Sequence, residues 1–415
     1  MEINTKKFST RIIGAKFAQP DAHGAISLPV YRNAAFEYPD SNSIAAAFQR
    51  KPEMHTYSRI SNPSVANLEA KIQAASGGKH VLALASGMAA ISASFFALAY
   101  AGANIVSSPR LFGNTLSFFK YTLADFGVET RFVNADNPDE IAAAIDENTC
   151  AVFVEIITNP CLEIADLPAI ASVVRPKGVP LVVDTTLTPW CGFDAAACGI
   201  DIEVVSTTKY ISGGATSIGG AIIDRATFDE TASRKLSRMP PPPEGRTRFT
   251  QKLRAEIGRN LGACMSPDTA CLQSLGMETL QMRYETASAS AYAVARRLEG
   301  REKILAVNYP ALESSPYKKI ADKLFFGYPG AMFTLSLPDR AACFRFMDRL
   351  EIFRRATNLF DNKSLVIHPE STIYGTFSPE MKKLAGIEPG AIRFSIGLED
   401  PDDLVADIEN ALSYV

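Results

Sequence analysis

Seven short apolar runs recur along the chain: VLALA (81–85), NIVSS (104–108), VETRFV (128–133), CAVFVEI (150–156), VPLVVD (179–184), IEVVST (202–207) and GGAIID (219–224). Most are separated by stretches of helical pattern, such as Val65–Ser76 and the segment that begins at Met88. Short β-branched runs alternating with helices read as strands covered on both faces, and so as a mostly parallel α/β sheet. This alternation limits the fold more than any other feature.

At 415 residues the chain is long for one core, so a large domain with a smaller companion is expected. Residues 1–60 hold turn residues and aromatics (Tyr31, Phe36, Tyr38, Tyr57) without periodicity, and read as an arm that packs on something else. The basic, proline-rich stretch Arg234–Arg254 contains the run Pro240 to Pro243, which can continue neither a helix nor a central strand. It reads as a linker or exposed loop. A helical pattern over Glu278–Leu298 and shorter elements follow, including AMFTLSL (331–337), AIRFSIG (391–397) and a helix from Pro401. The expected division is 1–60 arm, 61–255 large domain and 256–415 smaller α+β domain.

Composition removes several classes of function. Hydrophobic residues at 47 % and charged residues at 21 % suit a globular chain rather than a disordered one. Forty-two basic against 45 acidic residues, a net charge of −3, argues against a nucleic-acid binder. The richest apolar stretch, Met88 to Ala101, is too short to span a membrane, and MEINTKKFSTRIIG lacks the apolar core of a secretory signal. Seven scattered cysteines without C-x-x-C, and only four histidines, indicate neither a disulfide framework nor a metal site. A cytoplasmic enzyme is expected.

The polar residues that follow the strands carry the chemistry. VLALA runs into Ser86-Gly87-Met88 at a helix start, CAVFVEI is followed by Asn159-Pro160, VPLVV ends in Asp184, and IEVVSTT ends in Lys209. Ligands of parallel sheets bind beyond the carboxyl ends of the strands, so these ends should converge on one crevice. The helix start offers free N–H groups to a phosphate, and Gly87 permits close approach. Ser206 and Thr208 add hydroxyls to the same anion. Asp184 calls for a cationic partner, and Lys209 has a setting that favours a neutral, nucleophilic amine. Singly, each has an ordinary reading: a surface ion pair, a helix cap, a turn. Together a phosphate cradle, an acid for a pyridinium nitrogen and a carbonyl-reactive lysine describe pyridoxal 5′-phosphate. Neither G-x-G-x-x-G nor G-x-x-x-x-G-K-[ST] occurs to support a nucleotide instead.

TYSRISNPSVANLE (56–69), ASGMAA (85–90), EIITNP (155–160), VDTTLTP (183–189), STTKYISGGATSIGG (206–220), LESSP (312–316), SLVIHPEST (364–372) and IRFSIGLED (392–400) together resemble the Cys/Met metabolism family of pyridoxal-phosphate enzymes, over nearly the whole chain. The branch most resembled is that of the O-acetylhomoserine sulfhydrylases. The resemblance implies fold type I, like aspartate aminotransferase, with a large, mostly parallel seven-stranded sheet domain and a smaller C-terminal α+β domain. It implies that Lys209 anchors the coenzyme and shuttles protons, and that Asp184 pairs with the pyridinium. Ser86, Gly87, Met88, Ser206 and Thr208 would hold the phosphate, and Asn159 would touch the ring oxygen. Arg393 and Asn358 would bind the substrate. Tyr57 and Arg59 would reach the phosphate of a neighbouring subunit, which implies a homodimer, usually doubled to a tetramer.

Five residues at four places depart from the family pattern. Phe112 stands where tyrosine is usual, keeping a face for stacking but losing a hydroxyl. Thr185 replaces asparagine, Phe360 replaces a glycine where it would crowd the substrate mouth, and Ile373-Tyr374 replaces Thr-His. The last three suggest an altered choice of substrate or nucleophile. The expected reaction is γ-replacement on O-acetyl-L-homoserine by sulfide or a thiol, giving homocysteine or methionine and acetate. The alternatives are a methionine or cystathionine γ-lyase, a γ-synthase using another nucleophile, and a weakly catalytic coenzyme-binding protein.

Overall fold

The computed structural model describes residues 6–17, 21–27, 29–49 and 54–415; the rest of the amino-terminal arm lies outside the described residues. All seven apolar runs form strands: β1 (His80–Leu84), β2 (Asn104–Ser107), β3 (Glu129–Phe132), β4 (Thr149–Glu155), β5 (Leu181–Asp184), β6 (Ile202–Val205) and β7 (Gly220–Asp224). They make one sheet in the order β1-β7-β6-β5-β4-β2-β3. Only β7 is antiparallel to its neighbours, so the carboxyl ends of β1, β4, β5 and β6 share one edge.

Burial on both faces explains why these runs lack polar alternation. Val152 and Val154 of β4 and Leu181 and Val183 of β5 face one core. Ala151 and Phe153, with Val182 of β5 and Ile202 and Val204 of β6, face the other. The first layer includes the Pro63–Ser76 helix, which starts on the Asn62 cap with proline in its first turn and stops at Gly77. The second layer includes the Gly87–Leu98 helix.

The proline-rich segment is only partly a loop. Residues 239–246 are irregular, but the Arg248–Lys252 helix follows and continues through 261. Phe249 and Leu253, four residues apart, bury one face of it in the same core as the Gly87–Leu98 helix. Once the prolines end, ordinary amphipathic spacing takes over. In the arm, the Phe8–Ile13 helix packs on the Pro63–Ser76 helix of its own chain through the buried Ile12.

A second sheet follows, built from β8 (Ala306–Asn308), β9 (Met332–Ser336), β10 (Arg354–Arg355), β11 (Leu365–Ile367) and β12 (Ala391–Ser395) in the order β10-β11-β12-β9-β8. The Leu280–Leu298, Arg340–Arg349 and Pro401–Leu412 helices cover it. Among the described residues no helix is long and apolar enough to cross a membrane.

Of the departures around the expected pocket, Thr185, Phe360 and Tyr374 are buried and Ile373 is half-buried. Thr185 donates to Glu203 Oε2 at 3.2 Å, and Tyr374 has no exposed surface. Phe360 is stacked on Tyr210 with ring centroids 4.0 Å apart and planes within 10°. Its placement corrects the expectation of a side chain crowding the substrate mouth: with 3 % of its surface exposed, it is part of the core. The backbone nevertheless keeps the glycine-like conformation, with φ at 56°. Phe360→Ala is therefore expected to lose about 3–5 kcal/mol of stability. Phe360→Gly should lose about 1 kcal/mol less, because it also relieves the left-handed strain. Urea denaturation of both variants checks this; a glycine variant less stable than the alanine one would contradict it.

Candidate active site

Strand parity decides what the shared edge presents. In β4, Glu155 continues the face of Ala151 and Phe153; in β5, Asp184 continues that of Val182; beyond β6, Ser206 continues that of Ile202 and Val204. Glu155 and Asp184 are directly registered neighbours, as are Asp184 and Val204. Three polar groups therefore stand on the side of the Gly87–Leu98 helix.

That helix begins against them. Ser86 caps it, accepting from the Ala89 N–H at 3.0 Å, and the first intrahelical donor is Ala90. The N–H groups of Gly87 and Met88 thus belong to the open first turn. A Cβ on Gly87 would lie 2.7 Å from Ser206 Cβ, and one on Gly220 only 2.1 Å from the Ser86 carbonyl oxygen. Two glycines let the helix start, the β6 end and the β7 start meet in one cradle. Thr208 joins it with its hydroxyl engaged by Gly219, accepting from the N–H at 3.0 Å.

Lys209 follows in the turn after β6, and its Nζ donates to Asn358 Oδ1 at 2.7 Å. Burial, then the positive charge of Arg393, lowers its pKa to about 8, while Asp184 opposes the shift. Burial raises the Asp184 carboxyl above its usual range, against the hydroxyl and N–H of Thr186 and the charge of Lys209. Thr186 fixes two groups at once: its N–H donates to Asp184 Oδ1 at 2.9 Å and its Oγ1 accepts from the Ser206 N–H at 2.8 Å.

Arg393, on β12 of the second sheet, is 3 % exposed. Nη1 donates to Asn159 Oδ1 at 3.0 Å, and Nη2 to the carbonyls of Thr357 and Asn358 at 3.2 and 3.3 Å. Its Nε is buried without a partner, and among the described residues no carboxylate pairs with it. A buried guanidinium with a free edge suits a ligand carboxylate.

Lys209, Asn358, Arg393 and Asn159 are thus joined by one chain of hydrogen bonds, with Asp184, Ser206, Gly87 and Met88 on the neighbouring strand ends. Phe112 immediately precedes the Gly113–Ser117 helix and is tied to β4 by its N–H. Tyr57 and Arg59 are not brought to this cluster within the chain. Both are exposed, stacked on each other at 5.4 Å, with Arg59 donating to the Arg259 carbonyl at 2.6 Å. Sequence reasoning missed Glu155 and Thr186, and read Tyr374 only as a departure from the family pattern, with no contact assigned to it. The position of Glu155 at the end of a buried strand, within a quoted motif, was the signal for it.

These groups fit pyridoxal phosphate. An anion cradle, a carboxyl that burial leaves in need of a cation, and an amine made nucleophilic by burial occupy neighbouring strand ends.

Comparisons with known proteins agree with this fit. A family described as Cys/Met metabolism PLP-dependent enzyme matches residues 9–413. O-acetyl-L-homoserine sulfhydrylase 1 of Thermus thermophilus is 36 % identical over 98 % of this chain and 100 % of its own. L-methionine gamma-lyase of Pseudomonas putida is 34 % identical over 98 % of this chain and 97 % of its own. A crystal structure of a putative O-acetylhomoserine (thiol)-lyase from Campylobacter jejuni, which contains N′-pyridoxyl-lysine-5′-monophosphate, superposes with a TM-score of 0.93 at 32 % identity, covering 98 % of this chain and 100 % of that one.

Proposed function

The chain belongs to the Cys/Met metabolism PLP-dependent enzymes, and from that premise we propose that it catalyses γ-replacement on O-acetyl-L-homoserine, with sulfide or a thiol displacing acetate. The observation that carries this reading is the Lys209–Asn358–Arg393 chain of hydrogen bonds, which sets a basic amine beside a buried, carboxylate-seeking guanidinium.

Bound pyridoxal phosphate supplies an electron sink for negative charge developing next to the substrate's amino group. Gly87, Met88, Ser206 and Thr208 hold its phosphate, Asp184 its ring nitrogen and Asn159 its ring oxygen; Lys209 is its anchor. Arg393 and Asn358 orient the amino acid through its α-carboxylate. The Lys209 amine carries one proton at a time: it takes the proton at Cα, would give it up to the bound coenzyme, and is then free to take a second proton at Cβ. Acetate leaves Cγ as a carboxylate, sulfide adds there, and the protons return to Cβ and Cα. The balance is O-acetyl-L-homoserine plus hydrogen sulfide to homocysteine plus acetic acid.

Phe112 favours this leaving group. Acetate has a conjugate-acid pKa of roughly 4 and departs unprotonated, whereas a thiolate of roughly 8.5 or above gains from an acid that phenylalanine lacks. Phe112→Tyr should therefore raise thiol release from methionine about tenfold more than acetate release from the ester. Equal changes in the two assays would refute the argument.

The reading includes a homo-oligomer in which Tyr57 and Arg59 serve the partner's phosphate, a dimer of dimers in the cytoplasm, and the division 1–60, 61–255 and 256–415. The exposure of Tyr57 and Arg59 away from their own chain's cluster supports the shared site. Seven unpaired cysteines support a reducing compartment. The direct test is incubation with O-acetyl-L-homoserine and sulfide while homocysteine and acetate are followed separately. Formation of neither product would sink the proposal. Release of a 2-oxo acid, ammonia and a thiol from methionine alone, at a higher rate, would favour the γ-lyase reading that the Pseudomonas relative supports.

A further inference from the structure

We propose that Glu155 and Tyr374 act as paired positioning residues, which lock the Phe112 and Asn159 backbones to each other and so set how both side chains meet the coenzyme. This rests on the coenzyme contacts assigned above to Phe112 and Asn159.

Neither residue was on the sequence-derived list of site residues, and both are buried, Glu155 to 4 % exposure and Tyr374 to none. Glu155 closes β4 on the face that carries Asp184. Its Oε1 accepts from the Phe112 N–H at 2.6 Å, and burial, then the neighbouring Asp184 charge, holds the carboxyl well above the usual carboxylate range. Its Oε2 is buried without a hydrogen-bond partner. From the other side, the Tyr374 hydroxyl lies 3.0 Å from the Leu111 carbonyl and 3.0 Å from the Asn159 carbonyl. The segment entering Phe112 is thus held twice, through its N–H to Glu155 at the end of β4 and through the Leu111 carbonyl to Tyr374, whose hydroxyl also holds the carbonyl of Asn159 in the loop that follows β4.

The contact is close as well as polar. A Cβ on Gly113 would lie 3.3 Å from the Ile373 carbonyl oxygen and 3.5 Å from the Tyr374 ring. The bridge extends to the substrate end, because Arg393 holds the Asn159 side chain. A hydroxyl has one proton, and Tyr374 commits it to these two carbonyls. Tyr374 therefore does not replace the hydroxyl absent at Phe112 as a proton donor; it acts through the backbone it holds. In a site where small misplacements cost rate, two such bridges act on turnover more than on binding.

Tyr374→Phe, Glu155→Gln and Glu155→Ala, prepared as holoenzymes, test the proposal. The measurements are visible circular dichroism of the bound coenzyme, coenzyme dissociation rate, kcat and KM, and Tm. Tyr374→Phe is expected to lower kcat about tenfold with KM changed less than about threefold, and to weaken the coenzyme's dichroism. Glu155→Gln keeps an acceptor for the Phe112 N–H and should stay within about threefold of wild type, whereas Glu155→Ala should fall further. Unchanged dichroism and kcat in Tyr374→Phe would overturn the proposal, as would a glutamine variant as impaired as the alanine one. If Glu155→Ala does not fold, Tyr374→Phe alone decides. Wild-type protein that binds coenzyme and turns over beside unaffected variants would remove this inference only; wild type that takes up no coenzyme would remove the functional reading with it.

Discussion

Lys209→Ala is expected to abolish turnover, with a loss of about 10⁴-fold or more, because in the proposed reaction one side chain supplies both the covalent anchor and the mobile proton. The variant should also lose the visible absorbance of lysine-bound coenzyme. Its Tm should stay near that of the wild-type apoprotein, since burial already disfavours the charged amine. The wild type offers a companion measurement. A free lysine with the ordinary pKa is neutral to about 0.03 % at pH 7, whereas one at about 8 is neutral to about 9 %. Covalent uptake of pyridoxal phosphate by apoprotein should accelerate as pH rises and level off above about 8, because the reactive form is the deprotonated one. An unaltered Lys209→Ala variant would end the assignment, and a rate still climbing steeply at pH 10 would end its electrostatic explanation.

Arg393→Met should be the most damaging change at the substrate end. Methionine replaces the apolar stem, but the variant loses the buried guanidinium that the proposed reaction sets against the α-carboxylate. Truncating one member of a buried, hydrogen-bonded charge pair costs about 2–5 kcal/mol, which corresponds to a fall of about 30- to 5,000-fold in kcat/KM. Most of it should appear as raised KM for the amino acid, with KM for sulfide little changed. Lysine should not rescue, because an ammonium cannot bond Asn159, the Thr357 and Asn358 carbonyls and a carboxylate from one planar fork. Steady-state kinetics with both substrates varied provides the check. A KM for O-acetyl-L-homoserine within about threefold of wild type would remove Arg393 from the substrate site.

These two residues also show how differently parts of the site can be read from the chain. Lys209 was legible because it follows a buried strand, and a parallel sheet sends its strand ends to one edge. The same logic found Asp184, Asn159 and Ser86-Gly87-Met88. Arg393 was placed through the motif around it, since an arginine in a strand of the second sheet carries no local mark of what it faces. Tyr374 and Phe360 show the limit. Both looked like departures near a pocket, and both prove to be packed inside the protein, one on two carbonyls and one on Tyr210.

The sequence by itself determined the two layers around a mostly parallel sheet, the helix that opens at Gly87 and the set of polar strand ends that gather at one edge. Hydrophobic period, caps and turn residues act over a few neighbouring positions, so their information is local. Only the tertiary structure decided that Asn358 and Arg393 close over Lys209, that Glu155 and Tyr374 hold one loop from two sides, and that Phe360 belongs to the core. Each of those contacts joins residues far apart in the chain, through hydrogen bonds and packing that exist only once the second sheet is seated against the first.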